Sequence, residues 1–170
     1  MSKITKIKPD DLRLLNLIYS TLISTCDAHK NLSFEVLLEC RDNIYAIIET
    51  NDIGGKYIKA VIGCRRTYIN KTNTKDLKYY CMPNSLMYSI EFLHFNYDTT
   101  GIELINLIRE CLADKNDGFT IYTALCPNAY KDEVILYTAM RKNHFKYDQI
   151  DKVKNTITYV REPVCNPKVI

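Results

Sequence analysis

Apolar and polar positions divide the chain into short segments whose periods separate strand from helix. "SKITKIK" (residues 2–8) sets Ile4 and Ile7 among polar residues and predicts a short first strand. "PDDLRLLNLIYSTLISTC" (9–26) follows with helical spacing, Leu12, Leu14, Leu15, Leu17, Ile18 and Leu22 making a broad apolar face. Pro9, Asp10 and Asp11 suit the first turn of that helix, where a missing N–H costs nothing and negative charge meets the dipole. "SFEVLLECRD" (33–42) predicts a short second helix with Ser33 as N-cap and Glu35 near it. "NIYAIIET" (43–50) and "YIKAVIGCRRTYI" (57–69) are β-branched and aromatic runs around "NDIGGK", which predicts an antiparallel hairpin.

"NKTNTKDLKYYCMPN" (70–84) is polar and irregular and reads as a surface loop. "SLMYSIEFLHF" (85–95) is a strand. It runs into "TGIELINLIRECLADKND" (100–117), a helix with Leu104, Ile105, Ile108 and Leu112 on one face and Gly118 behind it. "FTIYTALC" (119–126) predicts a strand, "YKDEVILYTAMRKN" (130–143) a helix, and "HFKYDQI" (144–150) and "NTITYVRE" (155–162) the closing strands. The order β-α-α-β-β-β-α-β-α-β-β contains a strand, a crossover helix and a strand at its centre, which calls for a parallel pair inside a mixed sheet. The expected fold is α/β or mixed α+β: one domain over residues 1–162, then a peripheral tail at 163–170 ("PVCNPKVI").

Composition narrows the function classes. Apolar residues make up 46% of the 170 positions, enough for one domain with an ordinary core. The net charge is +3 with lysine and arginine dispersed, so neither a nucleic-acid footprint nor an anionic-membrane patch is expected. No apolar run reaches the roughly 18–20 residues of a membrane span, and "MSKITKIKPDD" has no signal-peptide core, which points to a cytoplasmic protein. The seven cysteines (26, 40, 64, 81, 111, 126 and 165) form no C-x-x-C pair, and no histidine lies at ligand spacing from another. Zinc is not expected, and the cysteines read as reduced structural thiols. Asn, Lys, Ile and Tyr are abundant and Trp is absent, as in an AT-rich genome such as that of a virus or parasite.

Candidate chemistry centres on Gly101, one of only five glycines, where a strand meets a helix with no linker. Two readings stand at this point. Either the backbone turns tightly there, or its amides must approach a ligand, the helix N-terminus attracting a phosphate.

In this element order the chain resembles the GCN5-related N-acetyltransferase (GNAT) superfamily over nearly its whole length. "ITKIKPDDLRLLNLI" looks like that family's opening strand and helix. "GGKYIKAVIGCRRTYI", with Ile62-Gly63, looks like its hairpin, and "LHFNYDTTGIEL" occupies the place of its acyl-CoA pyrophosphate loop. The resemblance implies a mixed sheet of about six to seven strands, about four helices, acetyl-CoA or another acyl-CoA as cofactor, and a homodimer. It implies cofactor contacts at Phe95, Asn96, Thr99, Thr100, Gly101, Ile102 and Asn128. The loop motif departs from the family at Asp98 (Arg or Gln expected) and at Glu103 (Gly or Ala expected), which puts two acids beside a phosphate site. The family's tyrosine acid falls on Met140, one helical turn from Tyr137, and His144 stands where its Gly-Phe glycine would be.

A base must deprotonate the amine. Glu91 is a candidate, either a raised-pKa base or an edge residue in water. His94 is the other, either a base near neutrality or a structural histidine. Tyr137 is either the acid or a packed tyrosine. The arginines of "CRRTY" are either contacts for the CoA 3′-phosphate or a solvated strand end. Two functions follow: an acyl-CoA-dependent N-acyltransferase acting on an amine-bearing small molecule or protein, or a catalytically inactive protein of the same fold serving as a protein-binding or regulatory module.

Overall fold

The structure, a computed structural model, describes residues 3–25, 29–68, 86–126 and 130–164. The predicted loop at 70–84, Asn128 and the tail beyond Val164 lie outside the described residues. The elements are β1 (Ile4–Lys6), α1 (Leu12–Thr25), α2 (Phe34–Glu39), a 3-10 turn (Arg41–Asn43), β2 (Ile44–Thr50), β3 (Lys56–Tyr68), β4 (Leu86–Phe95), α3 (Gly101–Leu112), β5 (Phe119–Leu125), α4 (Tyr130–Lys142), β6 (Lys146–Asp151) and β7 (Thr156–Arg161). This is the mixed sheet with four helices that the order of segments implies.

Local chemistry explains the boundaries. Ser33 caps α2 by accepting from Val36 N–H at 3.2 Å. Asp11 accepts from Leu14 N–H at 3.1 Å, so it caps α1 from outside, and no acid lies in the first turn itself. Leu15, Ile18 and Leu22 bury completely, whereas Leu12, at the first position of α1, is 61% exposed and leaves the predicted apolar face.

The seven strands lie in the order β1-β2-β3-β4-β5-β7-β6, and β4–β5 is the parallel pair. One core joins α3 and α4 to the sheet through Leu104, Leu107, Ile108, Met140, Phe145 and Tyr159. The other packs α1 and α2 against Ile44, Ala46, Val61 and Phe92.

Two irregularities shape the middle of the sheet. Ile47 pairs with Ala60 and Ile48 with Ile58, leaving Lys59 as an extra residue in β3. Gly63 pairs with Phe92 and Cys64 with Ile90, leaving Glu91 as an extra residue in β4. Bulges of this kind bend a strand and re-aim a side chain. At the second bulge the Phe92 ring lies directly over Gly63, where a Cβ would stand 2.0 Å from the ring. Only glycine admits that packing.

Candidate functional site

Past the β4 bulge the sheet opens. β4 and β5 pair at Met87↔Phe119, Tyr88↔Thr120 and Ser89↔Ile121, and there the ladder ends, although β4 runs on to Phe95 and β5 to Leu125. Asn96 N–H donates to Lys59 O on β3 at 2.8 Å. The two-residue alternation of a strand then turns the main-chain groups of Leu93 and Phe95 to the opposite edge, toward β5. Among the described residues this edge of β4 has no ladder partner beyond Ser89, so the two parallel strands part there, with α3 beginning shortly after the end of β4.

The junction is pinned from β3. Thr99 Oγ1 donates to Lys59 O at 3.3 Å, Thr99 N–H to Asn96 O at 3.0 Å, and Asn96 Nδ2 to Ile58 O at 3.2 Å. Thr100, with φ −79° and ψ 158°, makes the extended-to-helical turn and is the N-cap of α3. Its hydroxyl accepts from Glu103 N–H at 3.1 Å, and the Glu103 carboxylate accepts from Thr100 N–H at 3.0 Å, closing a capping box. The Thr99 hydroxyl has therefore already used its donor, whereas the Thr100 hydroxyl serves the capping box as an acceptor. The side chain of Asn96 is engaged as well, because its Oδ1 meets His94.

Gly101 is the first residue of α3 and does not have positive φ. Thr100 makes the turn, so the tight-turn reading of Gly101 does not hold. A Cβ built on Gly101 meets no atom within 4 Å beyond its own turn and chain neighbours. Gly101 and Ile102 are the first two residues of α3, where leading N–H groups have no partner within the helix and the dipole is positive.

The acids flanking this point behave differently. Asp98 is exposed. Glu103 is not left bare: the bulge at Lys59 aims its ammonium at Glu103, 3.1 Å away, and at Glu49, 3.3 Å away. Beside them lies a cleft of about 570 Å³ lined by Ile4, Ile47, Ile102 and Asn106 together with the charged trio.

The candidate proton-transfer residues separate clearly. Glu91 accepts from Arg65 Nε at 2.7 Å, and Arg65 also pairs with Glu39 of α2. Glu91 is therefore an ion-paired carboxylate, neither a desolvated base nor a solvated edge residue, and Arg65 is a bridge between elements.

His94 is buried on the α1–α2 side. Since Asn96 Nδ2 donates to Ile58 O, its Oδ1 accepts from His94 Nε2–H at 2.9 Å, which leaves the lone pair on His94 Nδ1. Burial pulls the His94 pKa below its ordinary value, against the Asn96 hydrogen bond, so the ring is neutral at pH 7. His29, which pattern reading did not single out, is buried close enough to His94 for their charges to oppose each other. Burial first, and His94 second, lower it to about 4.

Tyr137 is not brought to the cleft. Its ring meets Tyr147 of edge strand β6 edge-on at 6.4 Å, and β7 separates β6 from β5. Met140 is fully buried in the core. His144 adopts φ 69°, the left-handed conformation for which a glycine is suited, just after α4. Asn143, also missed by pattern, donates to Ile105 O at 3.1 Å and Ala139 O at 2.9 Å and ties α4 to α3. Cys40, Cys64 and Cys111 are buried thiols, and burial pushes Cys40 up to about 12.

Among the described residues, no helix is long and apolar enough to cross a membrane, and no group of three His, Cys, Asp or Glu could hold a metal ion.

No family model matches the sequence, and no curated protein matches it. Solved structures do match the fold. A chain of the NatC complex bound to Gag peptide and CoA aligns over 96% of this chain and 100% of its own, with TM-score 0.69 at 9% identity. NAA60 of Arabidopsis thaliana in complex with acetyl-CoA aligns over 94% and 97%, with TM-score 0.56 at 13% identity. An acetyltransferase of the GNAT family from Streptococcus pneumoniae aligns over 96% and 100%, with TM-score 0.56 at 12% identity. With its split parallel pair, its bulged fourth strand and a helix opening on glycine, the chain has the GNAT fold, that of the GCN5-related N-acetyltransferases.

Proposed function

We propose that the protein is an acyl-CoA-dependent N-acyltransferase, with acetyl-CoA as donor and an amine-bearing small molecule or protein as acceptor. The observation that carries this reading is the glycine that neither backbone nor packing requires: the space before Gly101 lies at a helix N-terminus, at the mouth of the β4–β5 cleft. The fold neighbours bound to CoA and acetyl-CoA support it. The residues present fit such a ligand. Main-chain groups of Leu93 and Phe95 would hold the pantetheine amides, and the N–H groups of Gly101 and Ile102 would hold the diphosphate.

An acyl-CoA supplies a thioester carbonyl for direct attack by an amine: the C–N bond forms, the C–S bond breaks, and its electron pair leaves on sulfur. His94 is the proposed base, because its neutral ring keeps a lone pair on Nδ1 while Glu91 is held by Arg65. The leaving thiolate takes a proton from water, since an ordinary thiol has a pKa of about 8.5, and the proton taken up by His94 passes to the hydroxide so formed, which restores the base.

Calorimetric titration with CoA and acetyl-CoA tests the binding half, and Gly101→Glu, which fills the open space, abolishes the signal. Loss of acetyl-CoA in the presence of free-amine peptides and small amines, followed by chromatography, tests the chemistry. His94→Gln retains binding and loses turnover. No heat and no thermal shift at millimolar acetyl-CoA would defeat the proposal.

A second reading, a non-catalytic module of the same fold, is favoured by Met140 in the core, Tyr137 on the far edge and Glu103 at the cradle. It predicts CoA binding without consumption, or no binding at all.

A further inference from the structure

At the closed end of the parallel pair, where Tyr88 still pairs with Thr120, β7 brings a buried arginine against β5. Arg161 stands directly opposite Thr120, two residues along from the Tyr122–Tyr159 pair, so the two side chains share the α3–α4 face of the sheet. Arg161 is 7% exposed and Thr120 is fully buried. One nitrogen of the guanidinium is accounted for, since Nη2 donates to Asn116 Oδ1. Arg161 Nε and Nη1, and Thr120 Oγ1, have no hydrogen-bond partner among the described residues.

The acids at this end of the sheet are engaged elsewhere. Asp114 holds Lys115 at 2.8 Å, Asp117 accepts from Tyr88 OH at 2.8 Å, and Glu162 pairs with Lys146 at 3.6 Å. Burial alone pulls the Arg161 pKa below its ordinary value, with no acid beside it to act against that. A charge taken out of water without a counter-charge costs a large share of a domain's marginal stability. The missing partner can be read from the groups left over. Nε and Nη1 only donate, and the threonine hydroxyl can donate with them. A water there would leave its own hydrogens aimed at donors, whereas an oxyanion accepts from all three and donates nothing.

We propose that Arg161 and Thr120 form a binding site for a small oxyanion, a carboxylate or a phosphate, between β5 and β7. The site lies in the laddered part of the β4–β5 pair and uses none of the groups assigned to acyl-CoA, so it is independent of that reading. The guanidinium is covered, so the anion enters by lifting its cover. Val164, just beyond β7, is part of the surroundings that must give, its N–H donating to Asn116 O at 2.9 Å.

Urea unfolding in formate, in phosphate and in chloride at equal ionic strength tests the site. The wild-type midpoint is expected to rise with formate and with phosphate and then level off, about 0.5 M above the chloride series. Arg161→Met removes the charge and is expected to lose the saturating rise, keeping only the general salt effect. Thr120→Val keeps the shape and is expected to weaken binding about tenfold. In 15N-labelled wild type the Arg161 Nε–H resonance is expected to shift with formate over the same concentrations, which locates the site even where Arg161→Met does not fold. Formate and phosphate series that track chloride, or an Nε–H resonance unmoved by either anion, overturn the proposal. A saturating rise that survives in Arg161→Met overturns it too. If Arg161→Met is less stable than wild type by the same margin in every anion, the arginine's partner belongs to the chain itself, and the proposal falls.

Discussion

Gly63→Ala puts a methyl group 2.0 Å from Cζ of Phe92, and 2.4 and 2.6 Å from the two Cε atoms. Ordinary carbon contacts lie at about 3.5–4.0 Å, so roughly 1.5 Å of overlap must be relieved. The ring has no easy exit. Phe92 is fully buried in the cluster that includes Leu15, Ile18, Leu22 and Leu37, so it can move only by leaving its rotamer or by pushing the helices off the sheet. Overpacking of this kind costs about 1–3 kcal/mol, rising toward the roughly 3–5 kcal/mol of a lost phenylalanine if the ring is expelled.

Urea unfolding reads the loss directly. With a slope of roughly 2 kcal/mol/M, a loss of 2 kcal/mol lowers the midpoint by about 1 M. A double-mutant cycle with Phe92→Ala separates the clash from any general effect of alanine in a strand. In the Phe92→Ala background the new methyl meets a void, so the double variant should be more stable than the summed losses predict by about 1 kcal/mol or more. Because this contact lies at the β4 bulge, Gly63→Ala should also weaken the CoA binding proposed above, and the double variant should partly restore it. A midpoint within about 0.2 M of wild type, or strict additivity in the cycle, would refute the claim that the glycine is there for the ring.

Three further outcomes are expected. His144→Gly relieves a left-handed φ of 69° and should stabilise the fold by about 0.5–1 kcal/mol, seen as a higher urea midpoint. Asn143→Ala breaks the bonds to Ile105 O and Ala139 O and should cost about 1–3 kcal/mol, with α3 and α4 losing amide-exchange protection together. For pH, the folded value of His29 lies near 4 against 6.5 for the ordinary side chain. Between those values the unfolded chain binds more protons, so stability is complete above about pH 6.5 and falls as pH drops toward 4, by up to about 3 kcal/mol. His94, also lowered, adds with the same sign. The difference between wild type and His29→Leu, followed by urea unfolding across that window, should show this slope, and its absence would count against the burial of His29.

The order of elements, the cap at Ser33, and the apolar faces of α1 and α3 were legible along the chain, since each depends on residues within a turn or two of one another, whereas the cap at Thr100 was not read there. Gly101 was legible as a point of interest, but its reason was not. The sequence suggests either a turn or a ligand approach, and only coordinates show that Thr100 makes the turn while nothing fills the space ahead of the glycine. The fates of the acids depended on long-range contacts. Glu91 and Arg65 are 26 residues apart, and Glu103 and Lys59 are 44 apart. Both pairs include a residue that a strand pattern assigns to the ordinary alternation and that a bulge removes from it. Periodicity assumes an unbroken register, and a single extra residue in one strand, chosen by how its neighbours pack across the sheet, redirects a side chain that no local rule can follow. The chain thus specified its own elements, while the register of β3 against its two neighbours, β2 and β4, decided which charges meet.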